Sequence, residues 1–146
     1  MRFTEAAGRK VVSTSTAETV GQIAEFVVDP QSRSVVAVTV KKTGGGDTVL
    51  WPRITAFGVD AVTVPGAEVI VDANDVVAAL SAKDHRLLGK RILTTGGEDL
   101  GEVTDVEFDP DSGALATLIA ASGDVSGERL VGVGSYAVVV HAVLPQ

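Results

Sequence analysis

The chain has 146 residues, which is enough for one ordinary domain or two very small ones, and 45% of them are hydrophobic, which is enough to fill a core. The absence of cysteine excludes disulfides, thiolate metal sites and a cysteine nucleophile. The net charge of −7 disfavours nucleic acid and anionic membrane surfaces as partners, because both are bound through Lys and Arg.

The two halves of the chain repeat each other. Three turn-forming residues recur 80 positions later, since Gly21, Asp29 and Pro30 correspond to Gly101, Asp109 and Pro110. Around them, VGQIAEFVVDPQSRSVVAVTV aligns without a gap to LGEVTDVEFDPDSGALATLIA. An internal repeat of this kind indicates two copies of one structural unit. We therefore predict one repeat over residues 1–73, a short helical linker over 74–86 and a second repeat over 87–146.

Short runs of β-branched residues bounded by turn residues predict strands in both repeats. In the first repeat the predicted strands are Lys10–Ser13, Gly21–Val28, Ser34–Lys41, Thr48–Trp51, Ala61–Val64 and Val69–Val71. In the second they are Lys90–Thr94, Gly101–Phe108, Ala114–Ala120, Arg129–Val133 and Ala137–Val143. Two glycine-containing segments, Gly44–Asp47 and Gly123–Gly127, are predicted to be hairpin tips.

The Asp-Pro pairs predict hairpin turns between the second and third strands of each repeat, because Pro presets φ for a type I turn. Gly113 can take the left-handed position that follows such a turn. Arg33 stands where Gly113 stands, so the first turn is predicted either to be strained or to differ in shape.

The second strand of each repeat is predicted to contain a β-bulge. Its apolar positions are spaced by three and then by two, at Ile23, Phe26 and Val28 and again at Val103, Val106 and Phe108. Strict alternation has a period of two, so a bulge near Ala24–Glu25 and near Thr104–Asp105 is needed to switch the face. Short, strongly bent antiparallel strands close into a small barrel rather than a flat sheet.

The linker is predicted to form a short helix. Asn74 or Asp75 can cap its start, with Val76, Val77 and Leu80 on one face and Lys83 near its end. Such a helix is too short to be stable alone, so we expect it to dock on a barrel.

The repeated pattern resembles the PRC-barrel family. The residues that carry the resemblance are Gly8, Val20-Gly21, Asp29-Pro30, Gly58 and Ala61-Val62, and then Gly89, Leu100-Gly101, Asp109-Pro110, Gly134 and Ala137-Val138. The resemblance implies an all-β protein of two tandem antiparallel barrels that serves as a docking or assembly module, not an enzyme. We expect the two barrels to pack with pseudo-twofold symmetry, like the fused subunits of a dimer, since each has little core of its own.

The family includes the cytoplasmic domain of the photosynthetic reaction-centre H subunit and the C-terminal domain of a ribosome maturation factor. The chain shows neither the transmembrane helix of the first nor the separate N-terminal domain of the second. Neither specific function is therefore expected here.

An acidic stretch without a basic residue is the first candidate site. Its members are Glu98, Asp99, Glu102, Asp105, Glu107, Asp109 and Asp111. The simplest interpretation is a solvated strand face; the functional one is a partner-binding face formed by Glu102, Asp105 and Glu107. A weak Ca²⁺ site is a third possibility, but the spacing differs from that of an EF-hand loop.

Trp51 is the second candidate. It precedes Pro52, which suggests a strand end or edge. The side chain is either part of the core or an anchor for a partner, since aromatic anchors carry much of the binding energy of interfaces.

No catalytic, cofactor-binding or metal-binding residue is predicted. The two histidines, His85 and His141, lie far apart in the sequence, and without cysteine they make a transition-metal site improbable. Ser126 in the Gly123–Gly127 segment has no well-placed base and is therefore not expected to be a nucleophile.

The sequence thus predicts a non-catalytic adaptor that binds another protein. The alternative is a small-molecule or metal-ion binding module with its ligand in the groove between the barrels. No apolar run approaches the roughly 20 residues that span a bilayer, and the N-terminus has no signal region, so we expect a cytoplasmic protein without membrane insertion. A homodimer and a monomer both fit the sequence.

Overall fold

The computed structural model describes residues 1–81 and 86–142. Within them, each repeat forms one six-stranded sheet. The first sheet contains β1 (Lys10–Ser13), β2 (Thr19–Asp29), β3 (Ser34–Lys41), β4 (Thr48–Leu50), β5 (Ala56–Phe57) and β6 (Ala61–Val64). The second contains β7 (Arg91–Thr94), β8 (Asp99–Phe108), β9 (Leu115–Ala120), β10 (Gly123–Ser126), β11 (Leu130–Val133) and β12 (Ala137–Val140). The helices are α1 (Phe3–Ala6) and α2 (Asp75–Ser81), and 3-10 turns span Trp51–Arg53, Ala67–Val69 and Gly127–Arg129.

The two sheets have the same topology. The strand order is β4-β3-β2-β1-β6-β5 in the first and β10-β9-β8-β7-β12-β11 in the second. Neighbouring strands are antiparallel except for β1 with β6 and β7 with β12, which are parallel. The predicted all-β fold of two tandem barrel-like units is confirmed, with one parallel pair in each sheet as a refinement.

Both predicted bulges are present. The register of β2 against β3 shifts between Ile23 and Glu25, and the register of β8 against β9 shifts between Val103 and Asp105. Each of the two strands shifts again near its end, before Val28 and before Phe108. Because a bulge bends the strand that carries it, these long strands curve around the core of their own repeat.

The Asp-Pro turns have the same shape in both repeats. The Arg33 amide donates to the Asp29 carbonyl at 2.8 Å, and the Gly113 amide donates to the Asp109 carbonyl at 2.7 Å. Gly113 has a φ of 79°, and Arg33 has a φ of 55°. Of the two outcomes predicted for the first turn, strain is therefore the correct one, since Arg33 occupies the left-handed region that L-residues disfavour.

Several predicted boundaries are wrong. Gly21 and Gly101 lie inside β2 and β8, not at turns, because both strands begin two residues before their glycine. The segment Val69–Val71 was predicted to be a strand. Val69 is instead the last residue of a 3-10 turn, and of the three residues only Val71 pairs with an edge strand, at Thr48.

Two strands were missed. Gly123–Ser126, predicted as a hairpin tip, forms β10, which pairs with β9 along its whole length. Ala56–Phe57 forms β5, a two-residue partner of β6. Both are edge strands whose pairing comes from a neighbouring strand and not from their own composition.

The linker helix α2 docks on the outer face of the first sheet. Asn74 caps it, since its side-chain oxygen accepts a hydrogen bond from the Val77 amide at 2.8 Å. Val77 packs with Val27 and Ala37 in a small second core, whereas Val76 is 68% exposed and does not share that face. The predicted positions Lys83 and His85, and the end of the last predicted strand at Val143, lie outside the described residues.

The repeats meet across a pseudo-twofold axis. Ser34 forms an antiparallel bridge with Ala114, its counterpart in the second repeat. Around this bridge the Val35 amide donates to the Gly113 carbonyl at 2.8 Å, and the Leu115 amide donates to the Arg33 carbonyl at 2.9 Å. Exchanging the two repeats converts one of these hydrogen bonds into the other, which is the pattern of a twofold-symmetric dimer interface. The predicted pseudo-twofold packing is confirmed.

One hydrophobic core runs through both repeats, and the N-terminus crosses between them. The Phe108 amide donates to the Met1 carbonyl at 2.8 Å, and Arg2 forms an antiparallel bridge with Glu107, so the first residues pair with the end of β8 in the second repeat. Phe3 then packs against Phe108 with ring centroids 5.5 Å apart. The halves therefore share buried surface that neither could bury alone.

Candidate functional site

Asp105, predicted to bind a partner, is engaged inside the molecule. It is only 8% exposed. Its Oδ2 accepts a hydrogen bond from the Thr4 hydroxyl at 2.5 Å, and its Oδ1 accepts from the amides of Thr4 at 3.2 Å and Val106 at 2.9 Å. The expectation that Glu102 and Asp105 share an exposed face is wrong, because the bulge turns Asp105 beneath α1 while Glu102 stays exposed.

The other acidic side chains of this stretch also differ from one another in exposure and in their neighbours. Glu102 lies opposite Arg91 of β7, and Arg91 forms an ion pair with Asp99 at 3.1 Å. Glu107 is half-buried beside Arg2. A partner-binding role for Glu102 and Glu107 stays a prediction, and the acidic face available for it is smaller than the sequence suggested.

The described residues hold no group of three or more His, Cys, Asp or Glu side chains that could bind a metal ion. The amide of His141 donates to the Arg129 carbonyl, and His85 lies outside the described residues. The Ser126 hydroxyl accepts a hydrogen bond from the Glu128 amide at 3.3 Å and caps the turn that follows β10. Ser126 is therefore the capping residue of the Gly127–Arg129 turn.

Trp51 lies at the junction of the two repeats. It follows β4 and begins a 3-10 turn in which Pro52 is the second residue. Its ring stacks on Phe57 of the same repeat, with centroids 5.6 Å apart and an interplanar angle of 18°, and meets Phe108 of the other repeat edge-on at 6.2 Å. The indole remains half-buried. Trp51 thus packs against the core, which is the first of the two predicted alternatives, and keeps part of its surface accessible. A role as an anchor for a partner stays a prediction.

The accessible part of Trp51 lines a groove of about 190 Å³, which we name the Trp51 groove. It is lined by residues of both repeats, namely Trp51, Ile54, Thr55, Ala56 and Phe57 from the first and Pro110 and Asp111 from the second. The sequence singled out Trp51 and the Asp-Pro turn separately. It carried no signal that the two would meet, because their contact depends on how the repeats pack.

Two larger cavities lie elsewhere in the described part of the chain. One, of about 260 Å³, lies beside the β2 bulge between Phe3 and Leu87, where Arg86 forms an ion pair with Glu25 at 2.8 Å. The other, of about 380 Å³, lies between β10 and Ala142.

The surfaces described above can support binding. Among the described residues, the carboxylate with the most hydrogen bonds, Asp105, holds α1 in place, and the hydroxyl of Ser126 caps a turn. The Trp51 groove offers apolar and aromatic surface with one carboxylate, which suits recognition of a side chain or small ligand.

The PRC-barrel domain family matches the chain in two segments, residues 1–77 and 81–143. Comparison with curated proteins finds no match. No helix within residues 1–81 and 86–142 has the length and apolar character needed to cross a membrane.

Proposed function

The chain belongs to the PRC-barrel domain family, and we propose that it is a non-catalytic, protein-binding adaptor built from two such domains. The observation that carries the proposal is the extent of the family match, which accounts for residues 1–77 and 81–143 in two consecutive copies. PRC-barrel domains are protein-interaction modules and are generally non-catalytic. The structural tasks of Asp105 and Ser126 support the same view.

The fused, pseudo-twofold arrangement also favours an adaptor. Two equal units would present the same surface twice, but the repeats differ at corresponding positions such as Trp51 and Gly127 or Asp60 and Tyr136. Tyr136 is 74% exposed. The chain therefore offers two unlike faces on one frame, which suits a protein that brings different partners together.

Affinity capture tests this proposal. The tagged chain is used on lysate of its native host, and captured proteins are quantified by mass spectrometry against the tag alone. We expect at least one reproducible, stoichiometric partner, which must then bind the purified chain directly. Failure of every captured protein to bind the purified chain would contradict the adaptor function.

The acidic face is tested with the same partner. Glu102→Lys and Glu107→Lys reverse two exposed or half-buried charges without touching the bonds of Asp105. Loss of affinity would assign this face to the interface. An unchanged affinity for the reconstituted partner would exclude it.

A second candidate function, binding of a small molecule or metal ion between the barrels, is favoured by one observation. The Trp51 groove lies between the repeats and is lined by both. A ligand that binds only the folded state raises the melting temperature, so a thermal-shift screen of divalent ions and common metabolites addresses it. A flat response across the screen would count against this candidate.

A further inference from the structure

The floor of the Trp51 groove is held in place before any ligand arrives. Phe57 is 7% exposed and stacks on Trp51, while Phe108 meets both rings edge-on, at 5.5 Å from Phe57 and 6.2 Å from Trp51. Aromatic side chains fixed in this way lose little conformational entropy on binding. Such preorganisation is what allows a small apolar surface to contribute affinity.

The wall from the second repeat carries one carboxylate. Asp111 is exposed, and its backbone is fixed because its amide donates to Oδ1 of Asp109 at 2.8 Å. The ion pairs of the described residues join Arg86 to Glu25 and Arg91 to Asp99, so none of them uses the Asp111 carboxylate. Arg53, in the same 3-10 turn as Trp51, is exposed and does not line the groove.

An apolar floor beside a carboxylate that forms no ion pair with a described residue fits a particular kind of ligand. The side chains of Lys and Arg have an apolar stem and a charged end, and they bury the stem while the charge stays near water. Arg suits a carboxylate better than Lys, because its planar guanidinium can donate two parallel hydrogen bonds. The net charge of −7 attracts a basic partner to this surface.

We infer that the Trp51 groove receives an arginine side chain of the partner protein, with the stem against Trp51 and Phe57 and the guanidinium on Asp111. This inference rests on the proposed adaptor function and names the chemistry of the partner. It assigns the groove to a protein ligand and not to a free metabolite.

The pseudo-twofold relation supplies an internal comparison. The corresponding place in the other half has different residues. Gly127 begins the matching 3-10 turn as Trp51 does, and Val133 pairs with β12 as Phe57 pairs with β6. Gln31 follows the Asp-Pro pair as Asp111 does. Neither the aromatic floor nor the carboxylate exists there. Of these two corresponding places, the Trp51 groove alone therefore has the features of an arginine site, although the fold is repeated.

Trp51 is the only tryptophan and reports on the groove directly. The experiment is a fluorescence titration of the full chain with the blocked peptide acetyl-Gly-Arg-Gly-amide, compared with the same peptide carrying neutral citrulline. We expect saturable binding with a Kd on the order of 1 mM, about −4 kcal/mol, for the arginine peptide. Citrulline removes the charge while keeping the shape, and we expect it to bind about fivefold more weakly, as for an exposed ion pair.

Asp111→Asn keeps the backbone bonds of the turn and should lower arginine affinity by a similar factor of about five. The matched control is Asp124→Asn, which removes the same charge from exposed β10 outside the groove. Equal affinity of Asp111→Asn and wild type, equal binding of citrulline, or no change in Trp51 fluorescence together with no shift of its indole N–H resonance would each overturn the inference. Tighter binding of free arginine than of the blocked peptide would also overturn it in favour of a metabolite site.

The partner obtained by affinity capture separates this inference from the adaptor function. A partner that binds wild type and Asp124→Asn but is weakened by Asp111→Asn supports both. A partner that binds all three equally leaves the adaptor function standing and refutes the arginine site. If no captured protein binds the purified chain, the adaptor function fails, and the peptide titration decides the chemistry of the groove by itself.

Discussion

Trp51 and Gly113 approach so closely that no side chain would fit between them. A Cβ on Gly113 would lie 3.0 Å from Cε2 of Trp51 and 2.9 Å from the carbonyl oxygen of Val35. In the other half, Arg33 stands at the position of Gly113. Gly127 stands at the position of Trp51, because each of them begins the 3-10 turn that follows the fourth strand of its repeat. The pair Trp51 and Gly113 and the corresponding pair Gly127 and Arg33 each contain one large residue and one glycine, at exchanged positions. The two sides of the pseudo-twofold axis therefore accommodate different side chains.

Gly113→Ala tests this contact. We expect it to lower the free energy of unfolding by about 2–4 kcal/mol, because alanine is strained at a φ of 79° and its methyl group meets Trp51 and Val35. The matched control is Gly97→Ala, which has a φ of 84° but no atom within 4 Å of its added Cβ. Urea unfolding of both variants isolates the contact. Equal losses would show that backbone strain alone accounts for the effect.

The sequence was sufficient for features that depend on local chemistry. The bulges followed from the spacing of Ile23 and Phe26 and of Val103 and Val106, and the turns followed from the Asp-Pro pairs. β10 was missed because Gly123, Asp124 and Ser126 have poor strand propensity, and the strand forms only because β9 offers its edge.

The candidate sites were harder to predict than the strands. Asp105 looks like a surface acid in its own strand, and its burial arises from Thr4, about a hundred residues earlier in the chain. Trp51 and Asp111 belong to different repeats, so their common groove depends on the packing across the axis. The part that the sequence could not provide is therefore the long-range geometry, not the identity of the residues.

Asn74→Ala tests the cap of α2. The Asn74 side chain accepts the Val77 amide hydrogen bond, and loss of such a cap costs about 1 kcal/mol. Because α2 docks on the outer face of the first sheet, we expect faster hydrogen exchange at the amides of α2, by about fivefold, and unchanged exchange in β2. Asp72→Ala, an exposed residue before the helix, is the control. Equal acceleration in both elements would contradict local opening of α2.

Thr4→Val tests the attachment of α1 to the second repeat. The variant keeps the volume of the side chain but removes the Thr4 hydroxyl that donates a hydrogen bond to Asp105. We expect this loss to lower the free energy of unfolding by about 1 kcal/mol. Thr19→Val is a matched control, since Thr19 is exposed and begins β2. Chemical unfolding gives the free energies, and amide exchange at Val106 reports the local effect. A loss for Thr19→Val as large as for Thr4→Val would refute a specific role of the Thr4–Asp105 bond.

Phe108→Ala tests whether the two repeats unfold as one unit. Phe108 belongs to the second repeat, is 1% exposed and contacts the rings of Phe3, Phe26, Phe57 and Trp51 from the first. Truncation of a buried phenylalanine costs about 3–5 kcal/mol. We expect Trp51 fluorescence and far-UV circular dichroism to shift together to lower urea concentration, because one core runs through both halves.

The control for this variant is Tyr136→Ala, which removes an aromatic ring that is 74% exposed on the same repeat and should change stability by less than about 0.5 kcal/mol. If the Trp51 transition of Phe108→Ala stayed at its wild-type midpoint while the circular dichroism signal split into two steps, the repeats would be independent folding units. A single, shifted transition seen by both probes would instead establish that a substitution in one repeat destabilises the other through the shared aromatic cluster.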